Sequence, residues 1–303
     1  MHATPLEQSI FKTLAWFSMF DYPMTRFEVW KWMIKPERSF GLEEVYRALD
    51  ESEWLQKKTQ SNNGFVAMKG VGDAVDQVIN RQERFLDAVR KFQLLRRATY
   101  YFRILPGVRA VSAVNTLSWW HTTPESDIDL YIIVKPKHIW STRLLLVAPF
   151  AALKLRPREG AVHPFCFSFF ATNDSLQLDS LQLKEDYYLA FWSKTLVPVL
   201  DRDGVFESFA STNRWASSVL PNATRREQHP YHTARSTPSL PIQSSFIDPA
   251  CRALQRSRLP NEIQERANKD SCVVVSDQML KFHHNDRRAE YRDRFKELVG
   301  RHL

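Results

Sequence analysis

The sequence predicts an α+β protein that opens with a winged helix, and three observations carry that expectation. Three short amphipathic segments precede an Asn-Gly turn flanked by apolar runs. A long helical stretch follows them. Beyond Pro106-Gly107 the pattern changes to buried strands alternating with helices.

The first helix is expected over 7–17, with Ile10, Leu14 and Phe17 on one stripe, and Asp21-Tyr22-Pro23 ends it. Thr25 with Glu28 three residues later forms a capping box that opens a second helix through Trp30 and Met33, which Pro36 ends. A third helix runs from about Leu42 to Glu51. Trp54–Thr59 and Phe65–Lys69 read as strands around Asn63-Gly64, a dipeptide suited to the positive φ angles of a tight hairpin. In winged-helix DNA readers the third helix enters the major groove. Here it reads LEEVYRALDES, with four carboxylates and one arginine, so packing or partner binding is expected in place of DNA binding.

One helix is expected over 74–101, with Val78, Phe85, Val89, Phe92 and Leu95 inward and Lys91 among basic residues spread around it. Val108–Val114 and Asp127–Val134 follow as strands, Trp140–Leu155 as a helix, Phe165–Thr172 as a strand and Lys184–Leu200 as a helix. Residues 221–247 contain Pro221, Pro230, Pro238 and Pro241 and read as a linker or long loop. A strand at Cys272–Ser276 and a helix from about Asp286 to Val299 close a mainly helical C-terminal region. The expected units are a winged helix at 1–72, a connecting helix at 73–101, a mixed-sheet domain at 102–220, a linker at 221–257, and a region at 258–303 packed on the core.

Composition narrows the function. With 303 residues, 44% apolar and 25% charged, a sizeable core is expected. The longest apolar run, Leu144 to Leu153, is roughly half a membrane span, so no membrane partner is expected. Three cysteines without metal-ligand spacing fit a reducing, cytoplasmic setting. The eight glycines complete neither a dinucleotide fingerprint nor a Walker loop. Of the net charge of +8, residues 71–160 hold +6 and 221–303 hold +5, while 1–70 cancel and 161–220 hold −3; a polyanionic partner suits the middle and the C-terminal part.

The stretch that carries chemistry is Ser126-Asp127-Ile128-Asp129-Leu130. Carboxylates two apart on a strand project to one face, repel each other, and are relieved by a hard divalent cation. Trp119 and Trp120, in the loop before them, are candidates for stacking on a base or for covering a core edge. Arg143, three residues beyond Trp140, is placed either on phosphate or in an ion pair. His121, His283 and His284 read as surface histidines. Arg287 and Arg288 read as solvated or as part of an anion site.

A hydrophobic strand followed by Asn115-Thr116, ten residues and then Asp127-Ile128-Asp129-Leu130 resembles the nucleotidyltransferase superfamily, the fold of the DNA polymerase β palm, whose pattern has Gly-Ser in place of Asn-Thr. FDYP at 20–23, SDIDLYIIVKPKHIWSTR, NRW at 213–215, LPN at 220–222 and VVVSDQMLKFHHNDRR further resemble a family of prokaryotic nucleotidyltransferase-domain proteins. The resemblance implies transfer of a nucleoside monophosphate from an NTP to an acceptor, which could be RNA, protein or a small molecule. It implies Mg²⁺ (or Mn²⁺) on Asp127 and Asp129 and a phosphate contact from the Asn115-Thr116 turn; Ser126 and Arg143 are further candidates for phosphate. It also implies a third carboxylate on a neighbouring strand. The strand PFCFSFFAT has none; Ser168 sits in its middle and Asp174 just past it is the nearest acid. The alternative is therefore a catalytically degenerate nucleotide- or nucleic-acid-binding regulator.

Overall fold

The computed structural model describes residues 3–226, 229, 231, 233, 245–283 and 285–303. Most of the proline-rich stretch, with Pro230, Pro238 and Pro241, lies outside them, as does His284. No helix is long and apolar enough to cross a membrane among the described residues.

The N-terminal unit comprises helices α1 (Pro5–Ser18), α2 (Arg26–Lys31), α3 (Leu42–Glu51) and α4 (Glu53–Lys58) with strands β1 (Met24–Thr25), β2 (Thr59–Asn62) and β3 (Phe65–Met68). Thr25 accepts from the Glu28 N–H while Glu28 reaches back to the Thr25 N–H, the capping box expected from the sequence. Asn63 and Gly64 both have positive φ, 49° and 79°, and close the β2–β3 hairpin. Order β1-β3-β2 completes the wing. One expectation fails: Trp54–Lys58 is helix α4, because the Ser52 hydroxyl caps the Leu55 N–H and starts a new turn.

Helix α5 (Ala74–Phe102) leads to a six-stranded sheet of order β7-β4-β5-β6-β9-β8, in which only the β5–β6 pair is parallel. Its members are β4 (Val108–Ala113), β5 (Ile128–Val134), β6 (Phe165–Thr172), β7 (Val197–Asp201), β8 (Val273–Val275) and β9 (Met279–Phe282). The C-terminal region thus supplies two strands besides its helices α11 (Asn261–Arg266) and α12 (Arg288–Gly300). The helix expected over 184–200 splits into α8 (Tyr187–Thr195) and the edge strand β7. Part of the expected linker is helix α10 (Asp248–Arg256), whose Asp248 accepts from the Ser141 N–H at 2.7 Å on α7 (Ile139–Ala152).

Alternation along β5 assigns the faces. Ile128, Leu130, Ile132 and Val134 enter one core with α5 and α7; Tyr131 and Ile133 enter another with α8 and α9 (Val205–Thr212). A third core joins the N-terminal unit to α8 and α12: Trp16 stacks on Phe191, with centroids 5.4 Å apart, and meets Phe295 edge-on. Residues 3–72 therefore share their hydrophobic interior with the rest of the described chain.

FDYP is the joint of this contact. The Tyr22 hydroxyl donates to Glu28 at 3.0 Å, and the Arg81 guanidinium lies 3.5 Å over the Tyr22 ring while pairing with Glu28 at 2.9 Å. Arg81→Ala should destabilise the chain by about 2–3 kcal/mol, since it strips a mostly buried carboxylate of its partner. Urea denaturation followed by tryptophan fluorescence measures it; a cost under ~0.5 kcal/mol would show the joint to be held by apolar contact alone.

Candidate metal and phosphate site

Asp127 and Asp129 continue the row of Tyr131 and Ile133 beyond the apolar part of the sheet, at the start of β5. Both are half-buried. Parallel pairing with β6 sets Asp129 opposite Cys166, and one ligand atom from each of Asp127, Asp129 and Cys166 lies within 4.8 Å of the others. Burial raises the carboxyl pKa of Asp129 to about 6; the side-chain bond from Asn115 opposes this and the Asp127 charge adds to it. Asp127 is also raised by burial, against the Lys91 charge. The same burial pushes the Cys166 thiol up, so it stands neutral.

The turn after β4, which opens the short helix α6 (Asn115–Ser118), brings Asn115 to the pair. The Val114 N–H donates to the Asp129 carbonyl at 3.1 Å, and Asn115 itself has φ 53°. That left-handed conformation is the one glycine supplies freely and asparagine tolerates best among the rest. Its side chain bonds Asp129 and accepts from the Tyr188 hydroxyl at 3.2 Å. Thr116 beside it is exposed.

The loop from Trp119 to Ser126 is fastened to α5 turn by turn. Arg84 meets His121, the Thr122 hydroxyl donates to Asp87 at 2.7 Å, and Lys91 donates to the Thr123 carbonyl and to the Ser126 carbonyl and hydroxyl. Lys91 is wholly buried and pairs with Asp87 at 3.2 Å. Its inward place corrects the expected α5 face: Phe85 is 46% exposed, while Asp87, Ala88 and Lys91 turn in.

Several expected residues serve elsewhere. Ser126 spends its hydroxyl on Lys91 and on the Thr123 backbone, holding the loop rather than facing a phosphate. Arg143 lies on the helical layer over the opposite face, donating to Gln255 at 2.6 Å and lying 4.9 Å over the Phe282 ring; burial lowers its pKa to about 10. Trp140 donates to Asp277. Asp174 follows the far end of β6, ~20 Å from Cys166 at ~3.3 Å per strand residue, and lines a cavity with Trp140 and Asp277. The described residues place no third carboxylate in the cluster.

Trp119 packs edge-on against Phe17, Trp32 and Phe191, and Trp120 lies against Phe85 and Phe92; both cover core edges. His121 is buried, not superficial, and burial beside Arg84 and Arg81 lowers its pKa to about 3. Arg288 is neither solvated nor free for an anion: it is buried among Asp286, Asp186, Ser271 and the Leu181 carbonyl. Arg287 pairs with Glu290. His283 lies 3.0 Å from Ser168 and lines, with Asn115, Tyr188 and Lys281, a cavity of about 270 Å³ beside the turn. Sequence reasoning missed Lys91, Cys166, Tyr188 and Lys281; only the odd cysteine inside an aromatic strand gave a local signal.

Two half-buried, mutually repelling carboxylates suit a hard cation, whereas a neutral thiol does not. Asp127 and Asp129 therefore fit Mg²⁺ or Mn²⁺, and Cys166 stands aside from such an ion. No protein-family model, curated protein or solved structure matches the chain.

The folded chain keeps a proton on Asp129 up to about pH 6, whereas an unfolded aspartate releases it at about 3.9. Its stabilising contribution is full below the lower value and lost as pH rises through the upper one. Without metal, Asp129→Asn should thus raise stability by on the order of 1–2 kcal/mol at pH 8, with the gain vanishing toward pH 4. Thermal melts across that range test it; a gain that grows on acidification would contradict it.

Proposed function

We propose that the chain binds a divalent cation and a nucleoside triphosphate on a nucleotidyltransferase-like sheet, with transfer of the nucleoside monophosphate weak or lacking. One observation carries this reading: two half-buried carboxylates on one strand face, their pKa values raised by burial, with a neutral thiol where a third acid would stand. Asp127 and Asp129 would hold Mg²⁺ or Mn²⁺ together with phosphate oxygens, and the ion supplies neutralisation of phosphate charge. Thr116 offers an exposed hydroxyl beside them. Asn115, committed to Asp129 and Tyr188, orients the carboxylate. Cys166, kept as the neutral thiol by burial, does not supply the base that an acceptor hydroxyl needs.

A second reading, full transfer to an RNA, protein or small-molecule acceptor, is favoured by the left-handed φ of Asn115, which keeps the tight turn that Gly-Ser would make. DNA is not proposed for the wing, because α3 carries Glu43, Glu44, Asp50 and Glu51.

Calorimetry with Mg²⁺ and each NTP, with pyrophosphate release followed in parallel, tests the reading. Binding should be present, should vanish in the Asp127→Asn, Asp129→Asn double variant, and should come with negligible turnover. Cys166→Asp should tighten Mn²⁺ binding tenfold or more by restoring a third hard ligand. Binding unchanged in the double variant would refute the site, and brisk wild-type turnover would establish the second reading.

A further inference from the structure

We propose that the outward face of α5 from Phe85 to Tyr100 binds a single-stranded nucleic acid. Phe85, Val89, Arg96 and Tyr100 recur at helical spacing along this face and, with Gln93, Arg97, Trp120, Tyr231 and the buried Phe92, line a trough of about 600 Å³. Its aromatic groups include rings that folding leaves open to solvent: Phe85 is 46% and Tyr100 48% exposed. Phe85 stacks on Trp120 with centroids 5.4 Å apart and an interplanar angle of 27°, so its ring is held in place.

The charge on this face is unbalanced. In the N-terminal half of α5, Arg81 pairs with Glu28 and Arg84 with Asp21. Farther along, no described carboxylate pairs with Arg90, Arg96 or Arg97. Residues 88–124 contain no acidic residue at all, so the shortage is built into the sequence. Guanidinium groups without carboxylate partners attract a polyanion, and exposed rings beside them give its bases a stacking surface. A duplex keeps its bases stacked on one another and an acidic peptide has none, so the pairing of rings with arginines favours a single strand.

Trp120 lies in the loop that runs on to Asp127, so the trough and the candidate metal site are linked along the chain. The binding itself needs neither cation nor triphosphate, so it stands or falls apart from the preceding reading.

Fluorescence anisotropy of the full chain, in EDTA, with labelled twelve-nucleotide oligo-U and oligo-dT, a duplex of equal length and poly-glutamate decides the matter. The single strands should bind most tightly. Arg96→Glu with Arg97→Glu should weaken them at least tenfold and cut the slope of log affinity against log salt by about 1.4, at about 0.7 for each phosphate no longer neutralised. Phe85→Ala with Tyr100→Ala should lower affinity and leave that slope in place. An unchanged melting temperature for the arginine variant, neither of whose residues pairs with a described carboxylate, separates a binding defect from a folding defect. Equal or tighter binding of the duplex or of poly-glutamate, no single-strand binding, or indifference to the arginine pair would each overturn the proposal.

Discussion

The buried ammonium of Lys91 is the constraint on which the arrangement of the site depends. It is wholly removed from solvent, and burial lowers its pKa while Asp87 opposes that effect. A charge in that position is tolerable only when its protons are used, and they are: Asp87 pairs with it, and Thr123 and Ser126 accept from it. Those acceptors are the last loop residues before Asp127. Lys91 therefore fixes where β5 begins and how the two aspartates leave the apolar part of the sheet. It also places a positive charge near both carboxylates without neutralising them, since its donors are already engaged.

The second constraint is aromatic. Trp119 is locked between Phe17, Trp32 and Phe191, and Tyr22 crosses it edge-on. The loop ahead of the aspartates is thus pinned from two sides, by α5 through polar contacts and by the N-terminal unit through rings. A winged helix in this setting is a buttress for the sheet domain. Its third helix carries Glu43, Glu44, Asp50 and Glu51, charges that repel a phosphate backbone.

The two candidate surfaces differ in how they hold charge. At the aspartate pair, negative charge is concentrated where water is partly excluded, which raises both carboxyl pKa values and leaves a cation as the natural relief. Along α5, positive charge is left without carboxylates on an open face, where it remains solvated at little cost until a polyanion arrives. Arg288 shows the third outcome available to a charge, internal pairing with Asp286 and Asp186.

Sequence alone determined what local periodicity and capping can encode. The Thr25–Glu28 box, the Asn63-Gly64 hairpin, the length of α5 and the paired face of Asp127 and Asp129 all follow from spacings of two to four residues along one segment. The tertiary structure decided everything that required one segment to meet another. Cys166 enters the aspartate cluster only because β6 pairs parallel to β5 in one register, and Asp174 is excluded by the same register. Lys91 turns inward because the loop of Thr123 and Ser126 closes over it, although helical periodicity put Phe85 in the core. Strand β9 joins the sheet from the far end of the chain by pairing with β6, and β8 joins by pairing with β9. Pairings across a hundred residues leave no periodic trace in the sequence, because each depends on the position of a partner that the local segment does not encode.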